Sequence, residues 1–322
     1  MSTQMTMVSL EDLVLQNNVY REFTKLFKFK KIEYRLVKLE KRLGRTGYGM
    51  VKLFKALLYQ FMEDLSDREL EECLKVNNVC KWFCGFDLLE KVPDHSLFGQ
   101  TRAKIGTEML SKLFGIMREQ LREEGYMSEV FTFVDSSHLI AKANLWKERD
   151  KAIQARYEKL NNSVLPKVAK DKSARIGCKG KNKFWYGFKK HVSVDMQSGM
   201  INKVAVTPAN IIDARGLKHV CPNQGAIYGD KGYCTAPARK IAAKKGVHLA
   251  AIKCNNMKTK NRDLDRWYSK MRSPYECVFS KSNKRVRYMG VEKNQFAEFM
   301  NAICFNLRRV VALADPPFAA IA

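Results

Sequence analysis

Two aspartates, each closing a short apolar run, carry the first chemical signal in this chain. Asp230 follows Ala226-Ile-Tyr-Gly229, and Asp135 follows Val130-Phe-Thr-Phe-Val134. Both runs predict short buried strands, and Gly232 allows a tight turn after the second. A carboxylate at the carboxyl end of a buried strand stands where open α/β sheets place their chemistry. If the two strands lie side by side and parallel, Asp135 and Asp230 offer paired oxygens to a hard divalent cation such as Mg²⁺. Such ions usually keep positions for water and substrate phosphate. Asp195 and Asp213 compete for the role, but Asp195 enters a hairpin turn and Asp213 sits near a helix start, which explains both locally.

A third acid should come from a helix packed near those strand ends. Glu276 is the best candidate, because Cys277, Val278 and Phe279 give its helix an apolar docking face. Lys270, Arg272, Lys281, Lys284, Arg285 and Arg287 surround it with positive charge. Without the two aspartates, Glu276 would read as a surface partner for Arg272. With them, three acids converging in a cationic chain fit two-metal phosphodiester chemistry, with ions about 3.5–4 Å apart clamping an in-line displacement.

The elements that must position these residues follow from periodicity. Residues 1 to about 125 read as helical. Ser9 with Asp12 looks like a capped start, followed by a stripe from Leu10, Leu13 and Val14. A basic, Gly-rich break at Gly44 to Gly49 precedes an apolar helix from Met50 to Phe61. Ser66-x-x-Glu69 is a capping box, and Pro93-Asp-His-Ser96 caps another helix. Trp82, Phe83 and Phe86 read as core of a small bundle, and Leu110, Leu113, Phe114, Met117 and Leu121 form a clean helical stripe. From Ser128 the period changes to that of strands. Trp185 to Asp195 and Met200 to Thr207 form a hairpin across Met196-Gln-Ser-Gly199. Then come a helix from Asn210 to His219, the Asp230 strand, and an Ala- and Lys-rich helix up to Gly246. A strand from Val247 to Ile252 follows, with closing helices from Arg262 to about Lys281 and from Gln295 to Ala312. Residues 143 to 184 interrupt this order with little apolar periodicity. Lys147 to Lys190 holds 14 basic and 4 acidic residues. It reads as a partly helical, partly flexible insertion lying on phosphate, or otherwise as a solvated charged loop.

Bulk properties agree with an anionic partner. The 322 residues carry 58 Lys and Arg against 33 Asp and Glu, a net charge of +25 spread along the chain. A field of that sign attracts nucleic acid. No basic amphipathic helix points to a membrane, and no apolar run of about 18 residues exists to span one. Met1 to Met7 lacks the charged and apolar regions of a signal peptide. Nine cysteines are irregularly spaced, and Cys80-x-x-x-Cys84 has no second pair to make a zinc site, so reduced thiols in a cytoplasmic protein are expected.

Together the words carry a resemblance. They are Val134-Asp-Ser136, Trp185-Tyr-Gly-Phe-Lys-Lys-His-Val-Ser-Val-Asp195, Thr207-Pro-Ala-Asn210 with Asp213, Gly229-Asp-Lys-Gly-Tyr233 and Asn306-Leu-Arg-Arg309, joined by Leu65-Ser-Asp-Arg-Glu-Leu70 and Val92-Pro-Asp-His-Ser96. Over about residues 40–312 the chain resembles DDE transposases of bacterial insertion sequences, in the insertion-sequence-5-like group of the fourth-insertion-sequence superfamily. The resemblance implies an α/β fold, a ribonuclease-H-like catalytic core with a mixed β-sheet, preceded by an all-helical N-terminal domain. The implied division is 1–125 for DNA binding, 126–312 for catalysis with the insertion at about 143–184, and 313–322 as a tail.

The resemblance makes Asp135, Asp230 and Glu276 the catalytic and metal-binding triad for Mg²⁺, expected as two ions with Mn²⁺ able to substitute. The family signature runs Tyr, two residues, Arg, three residues, Glu, six residues, Lys. Arg272 and Glu276 match it, Tyr268 lies one residue too far upstream, Asn283 occupies the Lys position, and Lys284 falls one late. Lys189, Lys190, Lys231, Arg272 and Lys284 are the expected DNA contacts. His191 reads as a structural histidine. The implied reaction is nicking by water at the element's end, then attack of the freed 3′-hydroxyl on target DNA. The implied partner is double-stranded DNA, bound by a homodimer at the terminal inverted repeats. Two alternatives share these residues: a ribonuclease-H-like nuclease without strand transfer, and a catalytically inactive transposase-derived DNA-binding protein.

Overall fold

Capping chemistry starts two of the N-terminal helices where the sequence predicts them, at Ser66 and at Asp94. The computed structural model describes residues 8–40, 47–180, 182–279 and 284–314. The Met1–Met7 start, positions 44–46 of the Gly-rich break, Lys281, Asn283 and residues 315–322 of the tail lie outside the described residues. Asn18 accepts from the Tyr20 N–H and opens α1 (Val19–Leu26), which is followed by α2 (Lys30–Val37). Helix α3 spans Met50–Met62, and Ser66 and Glu69 close a reciprocal capping box on α4 (Asp67–Val76). Helix α5 (Asn78–Cys84) stops on Gly85 in the left-handed region, and α6 runs His95–Glu123 with a kink at Gly106. The expected aliphatic stripe on α6 is buried, as are Phe83 and Phe86. Ser9 and Asp12 do bond reciprocally, but they close only a turn. Asn18 offers its side chain to the backbone, and the helix begins only after it.

The second half builds a mixed sheet. Its elements are β1 (Phe131–Ile140), α7 (Leu145–Gln154), α8 (Leu165–Val168), β2 (Arg175–Lys179), β3 (Lys183–Asp195), β4 (Ile201–Pro208), α9 (Asp213–Val220), β5 (Ala226–Gly229), α10 (Ala236–Lys244), β6 (His248–Ala251), α11 (Arg262–Arg272) and α12 (Val291–Ala314). Strand order is β2-β3-β1-β5-β6, with β4 also paired to β3. β1 is antiparallel to β3 and parallel to β5, and β5 is parallel to β6. The core between α9, α10 and the sheet holds Val134, Leu217, Val220, Ile227 and Tyr233.

Three expectations are corrected. β1 does not end at Asp135; its antiparallel pairing with β3 runs from Thr132↔Asp195 to Ile140↔Gly187, which carries it on to Ile140. The 143–184 insertion is partly helical, as expected, in α7 and α8, but its described residues also form β2 and pack Leu165, Ala169 and Ala174 against Tyr186, Phe188 and Val206. Glu276 is not on an α-helix. Pro274 cannot donate a backbone hydrogen bond and its ring crowds the preceding turn, so α11 ends at Arg272 and a 3-10 segment, Ser273–Phe279, carries the acid.

The chain divides into two compact units, one formed by residues up to Gln120 together with those from Ile303 onward, the other by Leu121–Ala302. The last turns of α12 therefore group with the N-terminal helices. All nine cysteines are free. Among the described residues no helix is long and apolar enough to cross a membrane.

Candidate active site

Parallel pairing of β1 with β5 sets the register of the two aspartates. Phe131, Thr132 and Phe133 pair with Ala226, Ile227 and Tyr228, and continuing that register places Asp135 level with Asp230. Asp230 leaves the strand end as the cap of a 3-10 turn, Lys231–Tyr233, its Oδ1 accepting from Gly232 N–H at 2.8 Å. Asp135 Oδ1 accepts from Ser136 N–H at 2.7 Å. Burial pushes the Asp135 carboxyl up to about 6; the charges of Asp230 and Asp213 add to the shift, while the Ser136 N–H and Arg272 oppose it. The two strand aspartates are thus brought together.

Glu276 is placed differently. Its side chain is 58% exposed, and it meets the strand site through Arg272, whose Nη2 stands 3.8 Å from Glu276 Oε1 and 3.7 Å from Asp135 Oδ2. Arg272 is buried with its guanidinium over the Phe133 ring, and its Nε has no hydrogen-bond partner. Among the described residues, the group whose ligand atoms all fall within 4.8 Å of one another is Glu71, Asp94 and His95, not the expected triad. That group is explained locally. Glu71 accepts from the His95 N–H at 2.9 Å and Asp94 accepts from the Ser96 N–H at 2.8 Å, which ties α4 to the start of α6.

The expected DNA contacts divide by exposure. Lys231 and Lys284 are exposed, with the Lys231 ammonium 3.4 Å from Asn255 Oδ1. Lys189 is engaged, its Nζ 2.9 Å from Asp213 Oδ1. Lys190 is corrected: its Nζ pairs with Glu298 Oε2 at 2.8 Å with both side chains buried, so it presents no charge to a backbone phosphate. Arg272 faces carboxylates rather than solvent. His191 is structural as read, wholly buried with Nε2 2.9 Å from Thr207 Oγ1, and burial pushes its pKa down to about 4.

Two further residues stand at the site: Asp213, which sequence weighed and set aside as a helix-start residue, and Tyr233, to which it gave no chemical role. Asp213 accepts from Ser136 Oγ at 2.7 Å as well as from Lys189. Burial favours its neutral form, yet the Lys189 charge and the Ser136 hydrogen bond hold it below the usual carboxylate range. Tyr233 is fully buried, and its hydroxyl has no partner; burial and the charges of Asp213, Asp135 and Asp230 all push its ionisation up. The words Thr207-Pro-Ala-Asn210 with Asp213 and Gly229-Asp-Lys-Gly-Tyr233 contain both residues, so the signal was present as pattern but not as chemistry.

The donor set is all oxygen, and Asp135 is a half-buried carboxylate influenced by Asp230 and Asp213, with the Arg272 guanidinium close to it. That arrangement fits a hard divalent cation, which would offset the burial and the carboxylate repulsion that together raise Asp135.

Fold and site thus define a mixed α/β protein with carboxylates gathered near where the parallel pairing of β1 with β5 ends. Two family models match the chain: a transposase domain (DUF772) over residues 8–104 and a transposase DDE domain over residues 162–292. The chain belongs to the DDE transposases. The second match includes Asp230 and Glu276 and begins after Asp135. A DDE domain implies dependence on divalent metal in general. Among solved structures, the chain is similar to piggyBac transposase in a synaptic complex with hairpin DNA, at 10% identity over 93% of this chain and 77% of that one, with a TM-score of 0.42. It also matches Mos1 transposase in a paired-end complex with the left transposon end, at 9% identity over 85% and 81%, with a TM-score of 0.18. The family assignment rests on the two domain matches.

Proposed function

We propose that this transposase, of the insertion-sequence-5-like group, binds the terminal inverted repeats of its element and carries out DNA cleavage and strand transfer at a Mg²⁺-dependent centre. The observation that carries this reading is the parallel β1–β5 register, which, continued past Phe133 and Tyr228, would bring Asp135 level with Asp230. Strand order supports a ribonuclease-H-like core, with an antiparallel set, β4-β3-β1, continued by the parallel strands β5 and β6. Asp135 and Asp230 would hold two divalent cations, with Glu276 as the third ligand; Mn²⁺ can replace Mg²⁺. When bound, such ions neutralise the phosphate and lower the pKa of the attacking water or 3′-hydroxyl.

The chain's own groups do the rest. The strands fix two carboxylates in position without further reorganisation, and Arg272 holds Glu276 near them through charge. Exposed Lys231 and Lys284 bind and orient the DNA backbone. A homodimer assembled on paired ends would supply one such centre to each end.

An end-cleavage assay on the DNA flanking the gene tests this reading, with Mg²⁺, with EDTA and with Asp230→Ala. Metal-dependent nicks that vanish in the variant, followed by joined products, are expected. Nicks without joining would make the protein a nuclease. DNA binding without nicking in any arm would make it an inactive DNA-binding descendant, a reading that the exposed position of Glu276 favours.

A further inference from the structure

Asp213 stands at the first turn of α9, yet it does not cap that helix. The N-cap position is Ile212, and no side chain bonds there. Instead Oδ1 turns to the sheet, where it accepts from Ser136 Oγ at 2.7 Å and Lys189 Nζ at 2.9 Å. Ser136 is the immediate neighbour of Asp135, so Asp213 is tied to the same stretch of β1 that carries the first acid. Its other oxygen faces the turn that carries Asp230. A Cβ built on Gly232 would stand 3.4 Å from Asp213 Oδ2 and 3.0 Å from Asp230 Oδ1, so both carboxylates border one small space.

A second observation points to the same place. The Tyr233 side chain is completely buried, three residues after Asp230, with its backbone N–H on the Asp230 carbonyl at 3.1 Å. Its hydroxyl has no hydrogen-bond partner. A buried hydroxyl without a partner is costly unless something completes the arrangement around it.

We propose that Asp213 is a fourth carboxylate of the metal centre, presenting Oδ2 to a divalent cation, with Lys189 as the counter-charge it holds when no cation is bound. This rests on the divalent-metal reading above. Lys189 and the metal compete for one carboxylate. Metal entry weakens the ion pair and frees a lysine beside the site for phosphate. The Tyr233 hydroxyl is the donor available to the carboxylates once they close on the ion.

The test is direct binding of Mn²⁺, followed by electron paramagnetic resonance and calorimetry on the full chain without DNA. Asp213→Asn keeps the shape and the Ser136 contact but removes the charge; it is expected to weaken Mn²⁺ binding roughly tenfold. Lys189→Met removes the competitor and is expected to tighten Mn²⁺ binding severalfold, the opposite sign. Wild-type affinity in folded Asp213→Asn, or unchanged or weaker binding in Lys189→Met, overturns the proposal and leaves a structural ion pair. Should Asp213→Asn fail to fold by circular dichroism, the sign of the Lys189→Met change decides. Asp135→Asn and Asp230→Asn separate the two levels. If both bind Mn²⁺ like wild type, the metal-centre reading itself fails; if they lose it while Asp213→Asn does not, only the assignment of Asp213 fails.

Discussion

Asp135 is the residue on which the energetics of the centre turn. Its carboxyl is raised from 3.8 to about 6, mainly by burial. Between those values the folded chain holds a proton that the unfolded chain releases. The associated stability is therefore fully present below about 3.8 and lost as pH rises through about 6, an effect of about 3 kcal/mol. Asp135→Asn removes the ionised form. It is expected to stabilise the metal-free protein at pH 7 by up to about 3 kcal/mol in urea unfolding while abolishing cleavage. Destabilisation instead would mean that Arg272 fully compensates the charge. Divalent metal should reverse the trend, because its ligands must be ionised. The rise in melting temperature on adding Mg²⁺ should be small at pH 5 and grow through pH 6 to 7; a pH-independent rise would detach Asp135 from the metal. At this scale the positions of Asp135 on one strand and Asp230 just after another were legible from short-range pattern, although the extent of β1 beyond Asp135 was not. Asp213 was not, since a residue at a helix start reads as a local feature until the helix's orientation is known. Lys190 failed for the same reason: only the sheet shows that it meets Glu298 rather than solvent.

At the scale of elements, the close approach of α9 to β3 holds Asp213 over the strands. Gly216 allows it. A Cβ there would lie 2.1 Å from His191 Cε1, and that imidazole is buried and bonded to Thr207. Gly216→Ala is expected to cost about 1–3 kcal/mol in denaturant unfolding through overpacking. It should also lower Mn²⁺ affinity by moving α9; a neutral variant would sink this account of the contact. The helices and the long hairpin were readable from caps and periodicity. β2 was not, because Arg175-Ile-Gly-Cys-Lys179 has little strand character of its own and becomes a strand by pairing with β3. The run beyond Asp135, Ser136-Ser-His-Leu-Ile140, was likewise polar enough to read as an exit from the sheet. Pairing with a thirteen-residue partner keeps it in.

For the whole molecule, the net charge of +25 would set the terms of the proposed DNA binding. The ordered insertion exposes Lys147, Arg149, Lys167, Lys170, Lys172 and Lys179, fixing a basic surface on α7, α8 and the strand that follows. If six to ten of the chain's cations meet phosphates, affinity should fall about 10³–10⁵-fold between 50 and 200 mM salt in a fluorescence-anisotropy titration. A flat salt response would remove the phosphate surface. Asp230→Ala should leave that titration nearly unchanged, since affinity and chemistry reside in different residues. Composition alone pointed to a polyanion partner. The ordered insertion required the fold, since its small core is assembled from residues on β1, β3 and β4 as much as its own.

The end of α11 at Arg272 gives the centre an uneven rigidity. Asp135 sits on a laddered strand and Asp230 directly follows one, whereas Glu276 rides on Ser273–Phe279, whose i to i+3 bonds are of poorer geometry. If Glu276 is the third ligand, capture of metal would include a disorder-suppressing step, and amide hydrogen exchange should register it. Backbone amides of the 3-10 segment should exchange faster than those of β1 and β5 in metal-free protein, then slow on adding Mn²⁺ while the strands hardly change. In that case the third acid is recruited by the ion, and part of the ion's affinity is spent on folding the last turn of its own site.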